Sequence, residues 1–121
     1  MILKKLIFAI LCLFSSSVIA GNGPYDGIWH ADFVGFFSVH ERSGTIIVAR
    51  LSEGGGLWEA YIGQRNGAAF RLETIQSPVA HAVIDVTMTS DTTFTAVQES
   101  CRPTSSCLLP DGAVFNGTKV W

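Results

Sequence analysis

The sequence contains few basic residues, and none of them form a cluster. Lysine and arginine total 8 of the 121 residues, against 10 aspartates and glutamates. Lys4 and Lys5 precede the expected domain, and without them the net charge is near −4. A chain without a basic patch lacks the electrostatic footprint needed to bind nucleic acid or anionic lipid. We therefore expect no nucleic-acid partner. The remaining six cations are isolated along the chain: Arg42, Arg50, Arg65, Arg71, Arg102 and Lys119.

The sequence also lacks an apolar run long enough to cross a bilayer as a helix. The run from Leu6 to Phe14 is shorter than the roughly 20 residues that a span requires. Lys4 and Lys5 precede it and small residues follow it up to Ala20, which is the layout of a secretory signal peptide. We predict cleavage after Ala20, a single domain over 21–121, and a secreted or periplasmic location. No membrane span is expected after cleavage.

Cysteine is scarce, and two of the three cysteines lie outside the predicted signal peptide. Cys101 and Cys107 are separated by five residues in an exported chain, which predicts a disulfide bond. The spacing is neither C-x-x-C nor that of a zinc knuckle, and no histidine is nearby. A redox or metal role is therefore not expected for this pair.

Catalytic motifs are absent as well. No serine lies in a nucleophile-elbow context, and the carboxylates are spread one per segment. The glycines of 54–56 lack the lysine and hydroxyl residue of a phosphate loop. His30 and His40 lie on neighbouring predicted strands, but alternation turns both outward, where they do not converge on a metal. We predict a protein that is not an enzyme and has no catalytic residues, metal site or cofactor.

The mature chain does contain eight short alternating segments separated by turn residues. Asn66-Gly67 is a strong hairpin signal because both residues tolerate positive φ. No segment has helical periodicity, and no connection is long enough for parallel pairing. The sequence predicts an all-β antiparallel meander that closes into a barrel, with a two-sheet sandwich as the alternative. The segments span 27–32, 35–41, 45–51, 57–63, 68–75, 80–89, 92–100 and 112–121.

Alternation along these segments assigns side chains to the inside or the outside. Trp58, Ala60 and Ile62 are predicted to point inward, opposite Leu57, Glu59 and Tyr61. The outer faces then carry the charges of Glu59, Arg71, Glu73 and Asp85, which argue against a membrane-spanning barrel. An apolar outer stripe is also predicted on the second to fourth strands, as a partner or dimer surface. Its members are Phe36, Ile46, Val48, Leu57 and Tyr61.

The tripeptide Gly27-Ile28-Trp29 at the start of an eight-strand meander resembles the opening of the calycin proteins, the group of lipocalins and avidins. In that group the tryptophan plugs one end of the barrel and packs under a cation from the last strand. The resemblance implies a structural pair of Trp29 and Lys119. A lysine stem can cover an indole face while its ammonium reaches water.

The preferred function is non-catalytic binding, with two main possibilities. A small carrier would hold an apolar ligand inside the barrel, lined by Trp29, Phe37, Trp58 and Phe70. A protein-interaction module, such as an enzyme inhibitor, would act through loops 52–56 or 102–106. A purely structural exported protein is the remaining alternative. An internal cavity of a few hundred Å³ would distinguish a carrier from the others.

Overall fold

The computed structural model describes residues 23–51 and 58–121. The predicted signal peptide, loop 52–56 and Leu57 lie outside the described residues. The described chain forms eight antiparallel strands and one 3-10 turn at Thr104–Ser106. The strands are β1 (Gly27–Ala31), β2 (Gly35–Arg42), β3 (Thr45–Leu51), β4 (Trp58–Asn66), β5 (Ala69–Gln76), β6 (His81–Ser90), β7 (Thr93–Arg102) and β8 (Val114–Lys119).

Each strand pairs with its sequence neighbour, and β1 also pairs with β8, so that the sheet closes into a barrel. The closing ladder places Trp29 opposite Lys119, and Ala31 opposite Gly117. This confirms the barrel and excludes the two-sheet sandwich. Closure leaves neither β1 nor β8 with a free edge for pairing with another chain. Within 23–51 and 58–121, no helix has the length and hydrophobicity to cross a membrane.

Strand alternation sorts the side chains as predicted on β5 and β6. Phe70 and Leu72 of β5 point inward and are buried, whereas the alternating Arg71 and Glu73 are exposed. The inward residues of β6 are Ala82, Ile84, Val86 and Met88, and all four contribute to the barrel interior. On the outer face, Arg71 pairs with Asp85 and Glu99 at 2.9 and 2.7 Å.

The predicted faces of β4 are wrong. Trp58 points outward and is 52% exposed, whereas Glu59 and Tyr61 point into the barrel. The register explains this inversion, because Glu59 pairs with Arg50 across the β3–β4 ladder and cross-strand partners share a face. The inner face of β4 is thus the polar one, contrary to the usual pattern of apolar side chains inside.

The predicted apolar outer stripe on β2 to β4 is also wrong. Ile46 and Val48 are 0% and 7% exposed and point into the core. Tyr61 lines the interior, and of the described members of the stripe Phe36 alone is exposed. β3 is apolar on both faces, so its sequence does not show which face points inward. The side chains that it buries were therefore assigned to the wrong side.

The structure explains why the Gly27-Ile28-Trp29 tripeptide begins with glycine. Its φ is +144°, and a Cβ placed there would lie 2.2 Å from the carbonyl oxygen of Trp121. The Trp121 carbonyl accepts a hydrogen bond from the Ile28 amide at 2.7 Å. The close approach of the chain end therefore requires a residue without a side chain.

We expect Gly27→Ala to destabilise the protein by about 1–3 kcal/mol. The alanine would combine an unfavourable φ with a clash against backbone at the closing seam of the barrel. Gly44→Ala is the matched control, because Gly44 also has positive φ (+82°) but has open space around it. Urea unfolding followed by circular dichroism measures both. Equal losses in the two variants would contradict the role assigned to the close approach.

Candidate functional site

The two ends of the barrel differ in their connections. At one end, the hairpins between β2 and β3, β4 and β5, and β6 and β7 are tight, and β1 begins and β8 ends there. We call this the closed end. We call the other end of the barrel the open end. It carries the connections 32–34, 77–80 and 103–113, and it is also where β3 ends and β4 begins.

Trp29 plugs the closed end. Its side chain is 1% exposed, and its indole Nε1 donates a hydrogen bond to the Tyr25 carbonyl at 2.8 Å. Its ring packs against Phe94 with centroids 5.7 Å apart, and Phe94 in turn meets Phe37 and Phe115 edge-on. In this aromatic cluster, Phe94 lies directly after the tight β6–β7 hairpin, whereas Phe37 and Phe115 lie nearer the open end.

Trp29 and Lys119 are direct cross-strand neighbours on the β1–β8 ladder. The Lys119 stem runs beside Gly27, whose missing Cβ would lie 2.7 Å from Lys119 Cε. Among the described residues, the cation over an aromatic ring is instead Arg65, whose guanidinium carbon lies 5.8 Å from the Tyr25 centroid. Arg65 also pairs with the buried carboxylate of Glu41. The closed end therefore holds two cations near its aromatic plug.

Beyond the plug, the barrel encloses a cavity of about 460 Å³ that extends to the open end. Of the four residues predicted to line it, Trp29, Phe37 and Phe70 do so. Trp58 does not belong to the lining, because the inverted face of β4 turns it outward. All eight strands contribute to the wall. Most of it is apolar, including Val39, Val48, Leu72, Ala82, Ile84, Val86, Ala96 and Phe115.

The connection between β7 and β8 contributes one side of the cavity mouth. Ser105 and Ser106 of the 3-10 turn, together with Leu108 and Leu109, line the cavity. Several contacts fix this connection. The Cys101–Cys107 disulfide closes its first half, and Gln98 Nε2 donates to the Leu109 carbonyl.

Asp111 holds the second half of this connection against β7. Its carboxylate accepts hydrogen bonds from the Cys101 amide at 2.9 Å and from Arg102 Nη1 at 2.7 Å. The bond from Arg102 is the main reason that the pKa of Asp111 lies below its ordinary value. The disulfide is compatible with an oxidising compartment outside the cytoplasm.

A polar cluster interrupts the apolar wall near the open end. Glu59 Oε2 accepts hydrogen bonds from Arg50 Nη2 at 2.8 Å, Arg50 Nε at 3.1 Å and the Tyr61 hydroxyl at 2.8 Å. Ser77 Oγ donates to the other carboxylate oxygen at 3.3 Å, and Arg50 Nη1 donates to the Val34 carbonyl at 3.1 Å. The Arg50 and Glu59 side chains are only 23% and 13% exposed. This cluster places one fixed ion pair in the cavity wall.

The hydrogen bonds of the cluster favour the ionised form of the Glu59 carboxyl. Burial alone would raise the pKa of Glu59, but the hydrogen bonds from Arg50, Tyr61 and Ser77 and the charge of Arg50 together lower it below its ordinary value. Burial, followed by the charge of Glu59, raises the pKa of Tyr61 well above its ordinary value. The phenol therefore remains a hydrogen-bond donor, and the cluster carries one positive and one negative charge at neutral pH.

We expect Glu59→Gln to destabilise the protein by about 1–3 kcal/mol at pH 7, because it removes a hydrogen-bonded carboxylate beside a half-buried guanidinium. A lowered folded pKa stabilises the fold above the unfolded value near 4.5. That contribution disappears as the pH falls through the folded pKa. The difference between the two proteins should therefore shrink below about pH 4.5.

Urea unfolding between pH 7 and pH 3 measures this difference. Glu73→Gln is the matched control, because Glu73 is exposed on the outer face of β5, and its effect should stay below about 0.5 kcal/mol. A Glu59→Gln penalty that grew with falling pH would contradict the assigned ion pair.

Exposed apolar side chains are concentrated around the cavity mouth. Among the described residues, Trp121 is the most exposed of them at 86%, followed by Phe33 at 78%. Val97, Val120 and Trp121 lie elsewhere, but the other seven exposed large apolar side chains lie at the open end, on its connections or on the adjoining strand termini. We call this set the apolar rim, and a rim of this kind is typical of an interaction or ligand-entry surface. Its members are Phe33, Phe36, Trp58, Ile75, Val79, Leu108 and Val114.

The histidines do not contribute to the cavity. His30 packs against Phe36 on the outer surface, with ring centroids 4.7 Å apart, and His40 and His81 are exposed. Over the described part of the chain, no group of three or more histidine, cysteine, aspartate or glutamate residues could hold a metal ion.

Sequence reasoning missed the Arg50–Glu59–Tyr61 cluster. The available signal was the hairpin register, since pairing Arg50 with Glu59 places opposite charges on one face. Comparison with models of protein families, with curated proteins and with solved structures gives no match for this chain. The geometry of the cavity is therefore the basis for the functional conclusion.

Proposed function

We propose that this protein binds a small apolar molecule inside its barrel and acts as a carrier rather than as a catalyst. The observation that supports the proposal is the cavity of about 460 Å³, which lies within the range of small-molecule sites, about 300–1,000 Å³. Eight strands usually leave an interior just wide enough for side chains or for one small ligand. In this barrel small and medium residues such as Ala82, Ala96 and Val48 leave space.

The composition of the wall supports an apolar ligand. Aromatic and aliphatic side chains form most of the lining, and the described polar groups are concentrated at the open end. Removing an apolar ligand from water is favourable by roughly 25 cal/mol per Å² of buried surface. The rim of exposed apolar side chains around the mouth would lower the cost of entry for such a ligand.

Binding of N-phenyl-1-naphthylamine tests the proposal. This uncharged probe fluoresces strongly in apolar surroundings. We expect a saturable rise in fluorescence with one site per chain, together with quenching of Trp29, which lines the cavity. A linear, non-saturating signal would argue against an internal site.

Native mass spectrometry of the protein purified from its own host is the complementary measurement. A small mass that co-purifies and is lost on denaturation supports the carrier. Protein that is bare and also fails to bind the probe contradicts it.

A protein-interaction role is the second candidate, and the apolar rim is the observation that favours it. A partner protein would cover Phe33, Phe36 and Leu108 without filling the cavity. Substituting Phe33 and Phe36 with serine separates the two roles. Such a variant would lose a protein partner but keep probe binding, because neither Phe33 nor Phe36 lines the cavity.

A further inference from the structure

The polar cluster in the cavity wall restricts the chemistry of the ligand. Arg50 and Glu59 carry opposite charges and are paired with each other at 2.8 Å. A ligand anion would bring a second negative charge next to Glu59, and a ligand cation a second positive charge next to Arg50. Either ion would lose its hydration on entering the cavity and would meet no unpaired counter-charge there. This is unfavourable in a weakly polar interior.

The cluster nevertheless has unused hydrogen-bonding capacity. A guanidinium has five N–H donors, and Arg50 uses one on Val34 and two on Glu59. The Tyr61 hydroxyl donates to Glu59 and so keeps its own oxygen free to accept. A neutral group that can accept from Arg50 matches these positions, and a hydroxyl can also donate to Tyr61 or Glu59.

The dimensions of the cavity set the size of the ligand. About 460 Å³ accommodates about fifteen non-hydrogen atoms at the roughly 30 Å³ that a water-sized group occupies in a liquid. Apolar side chains form most of the cavity wall, so an apolar body would lie against them inside the barrel. Its polar end would then lie near Arg50 and the open end.

We propose that the ligand is an uncharged amphiphile of about fifteen non-hydrogen atoms whose single polar group, a hydroxyl or a carbonyl, binds beside the Arg50–Glu59 pair. This inference rests on the proposed carrier function. It goes further, because an apolar cavity by itself would accept fatty acids and alkylamines as readily as alcohols.

The test compares three ligands with the same ten-carbon chain at pH 7: decan-1-ol, decanoate and decylammonium. Each displaces N-phenyl-1-naphthylamine from the wild-type protein. We expect decan-1-ol to bind at least tenfold more tightly than either ion. Decanoate or decylammonium binding as tightly as the alcohol would overturn the inference and leave the carrier function intact. Failure of both the probe and the alcohol to bind would overturn the carrier function as well.

A charge variant tests the same inference from the protein side. Glu59→Gln leaves Arg50 without its counter-charge, so the affinity for decanoate should rise at least fivefold relative to decan-1-ol. Glu99→Gln is the matched control, because it removes the same charge on the outside of the barrel, where Glu99 pairs with Arg71. The control should keep the wild-type preference. An equal change in both variants would show that net charge, and not the cluster, determines selectivity.

The double variant Arg50→Gln/Glu59→Gln keeps the wall neutral and avoids the unpaired guanidinium, in case the single variant does not fold. It should retain the preference for the alcohol. A preference for decanoate in this variant would contradict the charge argument.

Discussion

Trp29→Ala is expected to lower the free energy of unfolding by about 3–5 kcal/mol. Trp29 is 1% exposed, donates a hydrogen bond to Tyr25 and packs against Phe94. Truncation would remove the plug and enlarge the space beneath it, in a barrel whose interior already contains a cavity. A domain of this size has a total stability of about 5–15 kcal/mol, so the loss would approach unfolding at 37 °C.

Trp58→Ala is the matched control, because it makes the same chemical change on the outer face. Trp58 is 52% exposed, and we expect a loss of less than about 1 kcal/mol. Urea unfolding should be followed by circular dichroism, since both variants lose a fluorophore. Equal losses would mean that the plug contributes no more than ordinary surface packing.

Ala82→Trp is expected to reduce the affinity for the naphthylamine probe and for decan-1-ol at least tenfold. Ala82 is buried in the cavity wall, close to the open end of β6. An indole there would occupy space that the ligand needs. The ligand would have to displace a buried side chain, which costs more than entering an existing space.

Val83→Trp is the matched control for ligand binding. Val83 is the next residue on β6 and does not belong to the cavity lining, so its substitution should leave affinity within about threefold, equivalent to roughly 0.7 kcal/mol. Unfolding curves for both variants show whether the barrel remains intact. Undiminished probe binding by a folded Ala82→Trp variant would place the ligand outside the barrel and direct attention to the apolar rim.

The architecture could be predicted from the sequence because each of its signals is local. Turn residues such as Asn66-Gly67 separate the strands, and alternation on β5 identifies Phe70 and Leu72 as inward. The short connections make antiparallel pairing the natural outcome. Closure through β1 and β8 followed from the need to remove free edges, together with the resemblance carried by Gly27 and Trp29.

The site was only partly predictable, because its polar half reverses the usual rule. Alternation with apolar side chains inside assigned Trp58 to the cavity and Glu59 to the surface. The fold does the opposite because Arg50 faces Glu59 across the ladder and satisfies its charge internally. Both faces of β3 are apolar, so its sequence does not indicate which face points into the barrel. The cavity volume depends on how all eight strands pack, which no single segment specifies.

The pairing of β1 with β8 also has a consequence for folding kinetics. Each of the other pairings joins strands that are adjacent in the chain, whereas Trp29 and Lys119 meet across nearly the whole domain. The entropy cost of closing a loop grows with its length, so we expect the hairpins to form first and the seam to close last. Substitutions at the seam would then act mainly on the unfolding rate, because contacts that form after the transition state affect unfolding more than folding. The time for which a folded barrel remains closed would be set at this seam, next to the tryptophan that plugs it.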